Sequence, residues 1–212
     1  MKITVFGATG GTGLQVVRAA LTAGHAVTAV VRDPAKLPAD LRERVEVAQA
    51  DAMDPRAVEH AVKGADAVIT AIGTREGRAP TTVSADSARS IVTAMRAAGA
   101  RRLLLISASA LETSRGDDPV TRLVLKPLVQ RVLAHPYADL RDAERAVRDS
   151  GLDWTIVRPP RLLDKPAKGS YRRADGLDVR GGRAITRADL GKAFVDLADD
   201  PSAVGRVVYV AN

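Results

Sequence analysis

Residues 1–21 read MKITVFGATGGTGLQVVRAAL, and the fold turns on how the middle of this stretch is read. KITVF, residues 2–6, is a short apolar run of strand type. Residues 12–24 carry the apolar spacing of a helix closed by Gly24. Between them Gly7, Gly10 and Gly13 stand three residues apart. In a strand–turn–helix unit the first glycine permits the tight turn. The second lets the backbone approach a pyrophosphate, and the third lets the helix lie close to the sheet. The helix N-terminus adds free N–H groups and a partial positive charge, and Thr9 and Thr12 flank Gly11 with hydroxyl donors. The spacing is GxxGxxG rather than GxGxxG, and no GK[ST] follows, so this is not a P-loop. A glycine-rich structural turn is the alternative to a phosphate cradle.

Working outward, the rest of the chain repeats the same unit. Residues 26–32, 45–50, 65–73, 101–109, 152–160 and 205–211 are predicted strands, nearly continuous in Val, Ile, Leu and Ala. Helices are predicted after Asp54, with Pro55 at the first helical position, and over 82–98, 137–150 and 186–200, the last capped by Thr186. Strands alternating with helices at this pitch imply right-handed crossovers and a parallel sheet covered on both faces. The expectation is an α/β, Rossmann-type doubly wound sheet in a single domain over residues 1–212. Segments near 111–136 and 159–185 are left to cover a substrate.

Composition narrows the chemistry. The 212 residues are 46% hydrophobic and 27% charged, with a formal charge of +7. Cysteine is absent and His25, His60 and His135 share no ligand spacing, so no metal site is expected. The bases are spread among 25 acidic residues and aromatics are only 3%, which argues against a nucleic-acid partner. No apolar run is long enough to span a membrane and no signal peptide is evident, so a cytoplasmic protein without a membrane partner is expected, monomeric or homodimeric.

The end of the second strand should decide between the two nicotinamide dinucleotides, since an arginine there suits a 2′-phosphate. Arg32 and Lys36 flank that turn and favour NADP(H), unless they are two more solvated bases. Asp51, after the third strand, is placed to meet an adenine amino group or simply to make a turn.

GATGGTG (7–13), VRDPAKL (31–37), DAMD (51–54), AVITAIGTR (67–75), TTVSADSARSIVTAM (81–95) and SGLDWTIVRPPRL (150–162) together resemble the atypical short-chain dehydrogenases/reductases of the NmrA-like group. The similarity is closest to the flavin reductase/biliverdin-IXβ reductase branch and weakest over 111–136. The resemblance implies NADPH in an extended cleft. Gly7, Thr9, Gly10, Gly11, Thr12 and Gly13 would hold the pyrophosphate, and Arg32 and Lys36 the 2′-phosphate. Asp51 and Ala52 would face the adenine, and Ala71, Gly73, Thr74 and Arg75 would line the ribose path. Ser107, Ser109 and Pro159 would surround the nicotinamide, with the two serines as candidate catalytic groups, and Arg161 and Leu162 would form a substrate rim. The implied partner is a small planar acceptor such as a flavin or quinone.

The Tyr-xxx-Lys pair of working short-chain dehydrogenases is missing. Tyr137-Ala-Asp-Leu-Arg141 has arginine in place of lysine, and Tyr137 is either a general acid or a packing residue at a helix start. That loss argues against alcohol oxidation, where a proton must leave with the hydride, but not against hydride transfer to a delocalised acceptor. A non-catalytic NADP sensor and a nucleotide-sugar epimerase or dehydratase are the other readings. Residues 158–173, with Arg158, Arg161, Arg172 and Arg173, are either an electropositive mouth for an acceptor's phosphate or carboxylate or simply exposed surface arginines. The apolar run 119–136 is either a flap over the acceptor or a subunit contact.

Overall fold

Eight strands stand side by side in the order β3-β2-β1-β4-β5-β6-β10-β8, and every pairing but the last is parallel. The computed structural model describes residues 1–74, 77–114 and 117–212. In chain order the elements are β1 (Lys2–Phe6), α1 (Gly11–Thr22), β2 (Ala26–Val31), α2 (Ala39–Arg42), β3 (Glu46–Gln49) and α3 (Pro55–Val62). There follow β4 (Ala67–Thr70), α4 (Val83–Ala98), β5 (Arg102–Ile106), α5 (Lys126–Val132), α6 (Ala134–Arg148) and β6 (Asp153–Arg158). The chain closes with β7 (Arg161–Leu163), β8 (Arg172–Asp175), β9 (Ala184–Thr186), α7 (Arg187–Ala198) and β10 (Arg206–Ala211).

Strand alternation divides the core into two layers. Ile3 and Val5 of β1 and Leu104 of β5 face α1 and α7, whereas Phe6, Leu103 and Leu105 face α3, α4 and α6. Each such fully buried side chain contributes about 1.5–3 kcal/mol of burial. Two threonines inside the layers bond across elements: Thr4 Oγ1 donates to the Ala61 carbonyl at 2.7 Å and Thr155 Oγ1 to that of Ala203 at 2.6 Å.

Helix ends follow the expected chemistry. Asp54 accepts from the Arg56 and Ala57 amides ahead of Pro55. Thr186 Oγ1 accepts from the Asp189 amide at 3.0 Å. At α4, Thr82 makes no side-chain cap. Instead Asp139 of α6 accepts from the amides of Ser84 and Ala85, at 2.9 and 2.8 Å. A cap supplied from 55 residues away cannot be read from local spacing.

Three short strands were not anticipated. β7 and β9 pair with each other outside the main sheet, and β8 runs antiparallel on β10 as a charged edge strand. The fifth strand is shorter than expected. It stops at Ile106: the Ser107 and Ser109 amides still donate to the Val157 and Pro159 carbonyls, but Pro159 has no N–H to return a bond, and a 3₁₀ turn begins at Ser109.

Candidate functional site

The strand order reverses between β1 and β4, and there a cleft of about 220 Å³ opens at the strands' carboxyl ends. Gly7, Thr9 and Gly10 line it from the first turn, and Arg32 from the end of β2. Asp51 and Ala52 follow β3, and Ala71, Gly73 and Thr74 follow β4. Met53 of the β3 loop and Val83 and Ser87 of α4 also line it, three residues that motif reading did not single out.

The glycines act in different ways. Gly7 has φ 75° and a Cβ there would stand 2.9 Å from the Ala71 carbonyl oxygen, so only glycine fits. Gly13 is not on the cleft wall. It lets α1 press against the turn, since a Cβ there would lie 2.7 Å from the Gly7 carbonyl carbon and 3.1 Å from the Ala8 Cα. Gly10 is the N-cap of α1, without a side-chain cap and without an acidic residue in the first turn. An uncapped helix N-terminus behind a bare glycine turn fits a dinucleotide pyrophosphate.

Gly11 and Thr12 face another way. Arg187, at the start of α7, lies over Gly11 and donates from Nη1 to Thr12 Oγ1 at 3.1 Å, while its Nε donates to Asp164 at 2.7 Å. Nothing near Thr12 in the chain signals a guanidinium from position 187. Lys36 does not reach the cleft wall. It sits on a 3₁₀ turn with its ammonium 3.6 Å from Asp33. Asp51 also makes a local turn, accepting from the Met53 amide at 3.0 Å. Arg75 lies outside the described residues.

A second and larger cavity, of about 910 Å³, opens past the ends of β5 and β6. Ser109, Pro159 and Arg161 line it, and its apolar walls are Leu125, Val129 and Leu133 from one covering segment and Val179 from the other. Ser107 does not line either cavity. Its hydroxyl donates to Glu144 Oε1 at 2.6 Å in the interior. Of the two serines, then, Ser109 lines the cavity and Ser107 is tied to α6. Leu162 packs on the core from β7 rather than standing at the cavity.

The expected basic mouth is corrected as well. Arg158 is 1% exposed. Its Nε and Nη2 donate to the two Glu144 oxygens at 2.9 and 2.7 Å, and its Nη1 to Glu112 and the Tyr209 hydroxyl. Burial pulls its guanidinium down, but these bonds outweigh burial and hold it charged. Arg172 donates to the Arg180 carbonyl and Arg173 pairs with Asp200, both on edge strand β8. Of the four arginines only Arg161 reaches the cavity.

Tyr137 lines the second cavity, and burial pushes its phenol up, with the Arg141 charge pulling the other way. That is the reverse of the lowered tyrosine a lysine partner would give. The lysine in this wall is Lys126, whose ammonium is held by Asp117 at 2.9 Å, by Asp178 and by the Glu112 carbonyl at 2.8 Å. Its partners lie 9 and 52 residues away, so spacing did not reveal the cluster. Among the described residues no helix is long and apolar enough to cross a membrane.

A glycine cradle at the switch point, with an uncapped helix behind it and a roomy cavity beside it, defines a dinucleotide-binding protein of the doubly wound class. A family model described as NAD(P)H-binding matches residues 7–201, and the chain belongs to that family. It is 35% identical over 212 residues to a (4-alkanoyl-5-oxo-2,5-dihydrofuran-3-yl)methyl phosphate reductase of Streptomyces griseus, covering 99% of this chain and 62% of that protein. A short-chain dehydrogenase/reductase of Veillonella parvula, solved in complex with NADP, superposes with a TM-score of 0.82 at 25% identity, covering 100% of this chain and 94% of that one. An anaerobillin reductase of Escherichia coli O157:H7 gives 0.75 at 25% identity, with 100% and 97% covered.

Proposed function

We propose that the protein is an NADPH-dependent reductase that passes hydride to a planar conjugated acceptor of flavin or quinone type. The observation that carries this reading is the second cavity. It is wide, has largely apolar walls and stands beside the nucleotide cleft, without a tyrosine lowered by a lysine. The reductases among its relatives support the reaction class, and one of them is named for a dihydrofuran substrate.

When bound, NADPH supplies a hydride from its nicotinamide. The residues of the chain then have three tasks. Gly7, Gly10 and the α1 N-terminus hold the pyrophosphate, and Arg32 meets the 2′-phosphate. Pro159 and Ser109 keep the nicotinamide end against the acceptor cavity. Leu125, Val129 and Leu133 on one side and Val179 on the other exclude water around the ring. A reduced flavin or quinone takes its proton from solvent at the mouth, so no side-chain acid is required.

The test is NADPH oxidation, followed by nicotinamide absorbance, with flavins, quinones and simple carbonyls as acceptors. Turnover is expected with flavins or quinones, and Tyr137→Phe should retain activity within about twofold, as for a phenol that transfers no proton. Tight NADPH binding without turnover of any acceptor would overturn the reading and leave a cofactor sensor.

Cofactor choice has its own check. Arg32 is exposed on the cleft wall, and a charge-assisted contact to a phosphate is worth about 1.5–3 kcal/mol. Arg32→Ala should therefore raise the Kd for NADPH by roughly tenfold or more, with NADH nearly unchanged. Isothermal titration that finds equal losses for both would remove Arg32 from the 2′-phosphate.

A further inference from the structure

Residues 120–132 form a helical segment with its polarity reversed. The inner side carries Lys126, only 4% exposed, and the half-buried Val129 and Gln130. The outer side carries Val120, Leu123, Val124, Leu128 and Val132, with Leu123 72% exposed. That spacing is the one a surface helix normally turns toward its core. Here the core side takes an ammonium bound to Asp117 and Asp178, and the leucines face outward. The described fold leaves this apolar stripe uncovered. A contiguous stripe of this kind marks a surface that meets an apolar partner.

Charge and continuity identify the partner. Arg122 and Arg131 are the exposed charges of the segment, and no Asp or Glu occurs between residues 119 and 138. Asp118, just before it, keeps its charge, accepts from the amide and hydroxyl of Thr121 and lines the second cavity. Two copies stacked through this face would crowd their arginines into one interface, whereas anionic headgroups would neutralise them. Val120 and Leu125 belong both to the exposed surface and to the wall of the second cavity. The stripe therefore runs into the cavity mouth.

We propose that the outer face of residues 120–132 docks on a lipid surface rich in anionic headgroups. Leu123, Val124 and Leu128 enter the acyl boundary, and Arg122 and Arg131 meet the lipid phosphates. Docked this way, the second cavity opens toward molecules dissolved in the lipid. The contact is interfacial and needs no spanning helix. It stands independently of the reductase reading.

The test is flotation of the full chain with vesicles of phosphatidylglycerol and phosphatidylcholine, against vesicles of phosphatidylcholine alone. Binding to the anionic vesicles is expected to be about tenfold stronger and to weaken as salt rises. The double variant Leu123→Asp, Leu128→Asp should lose that binding by roughly tenfold or more while keeping its circular dichroism and NADPH affinity, because both side chains are already in water. Failure of the wild-type chain to bind either vesicle, or unchanged binding by the variant, would overturn the proposal. So would a dimer, seen by sedimentation velocity, that the same substitutions dissociate in a chain without vesicle binding; that outcome would assign the face to a second copy.

Discussion

Gly13→Ala is expected to cost the protein both its cofactor and part of its stability. A Cβ at this position lies 2.7 Å from the Gly7 carbonyl carbon and 3.1 Å from the Ala8 Cα, and all of these are backbone atoms that cannot rotate aside. One escape is for α1 to slide off β1, which moves the uncapped N–H groups of its first turn. The other is for the Gly7 peptide to turn, which breaks the 2.8 Å bond from the Gly10 amide to the Gly7 carbonyl. Either movement spoils the cradle. Overpacking of this kind costs about 1–3 kcal/mol, and the loss of pyrophosphate contacts should raise the Kd for NADPH by roughly a hundredfold, or about 2.7 kcal/mol.

Two companion variants keep the result interpretable. Gly10→Ala meets only the Gly7 oxygen at 3.2 Å, so it should weaken NADPH while sparing most of the stability. Gly24→Ala has open space but φ 77°, so it should lose about 1–2 kcal/mol of stability without touching NADPH affinity. Urea titration and calorimetric titration read the two effects separately. Wild-type NADPH affinity in both Gly10→Ala and a folded Gly13→Ala would show that the pyrophosphate does not lie on this turn.

What could be read from the chain was local or repetitive. The β1–α1 unit is legible because a turn needs glycine where φ is positive and where a helix touches a strand, and both needs fall within seven residues. The sheet is legible because strands covered on both faces must be apolar throughout. The short strands β7, β8 and β9 escape for the opposite reason. RRAD of β8 pairs at an edge and buries little, so no apolar rhythm announces it. The site is legible up to the point where partners become distant. Arg158 follows Ile156 by two residues, which puts both on one face of β6. Only the structure shows that this face looks into α6 rather than into the cavity. Lys126 is a similar case, because a lysine in an apolar run reads as exposed until Asp117 and Asp178 are seen around it.

Glu144→Gln should be among the most destabilising single substitutions that do not touch the cofactor cleft. Glu144 is buried, and its two oxygens accept from Arg158 Nε and Nη2, from Ser107 Oγ at 2.6 Å and from Arg148 at 3.1 Å. Removing its charge leaves the Arg158 guanidinium inside the fold with Glu112, more than half of whose side chain is in solvent, as its remaining carboxylate. Breaking one side of a buried pair costs about 3–5 kcal/mol, largely from the charge left behind. At roughly 2–4 °C of Tm per kcal/mol for a chain of this size, the midpoint should fall by roughly 10 °C. Converting both partners, Glu144→Leu with Arg158→Met, should recover a large part of that loss, since the desolvated charges go together. Recovery stops short of complete because Ser107 and Tyr209 each lose a hydrogen-bond partner. Thermal and urea unfolding of the two variants decides the matter: a loss under about 1 kcal/mol in Glu144→Gln would mean that the pair is solvated and does not hold α6 against β6.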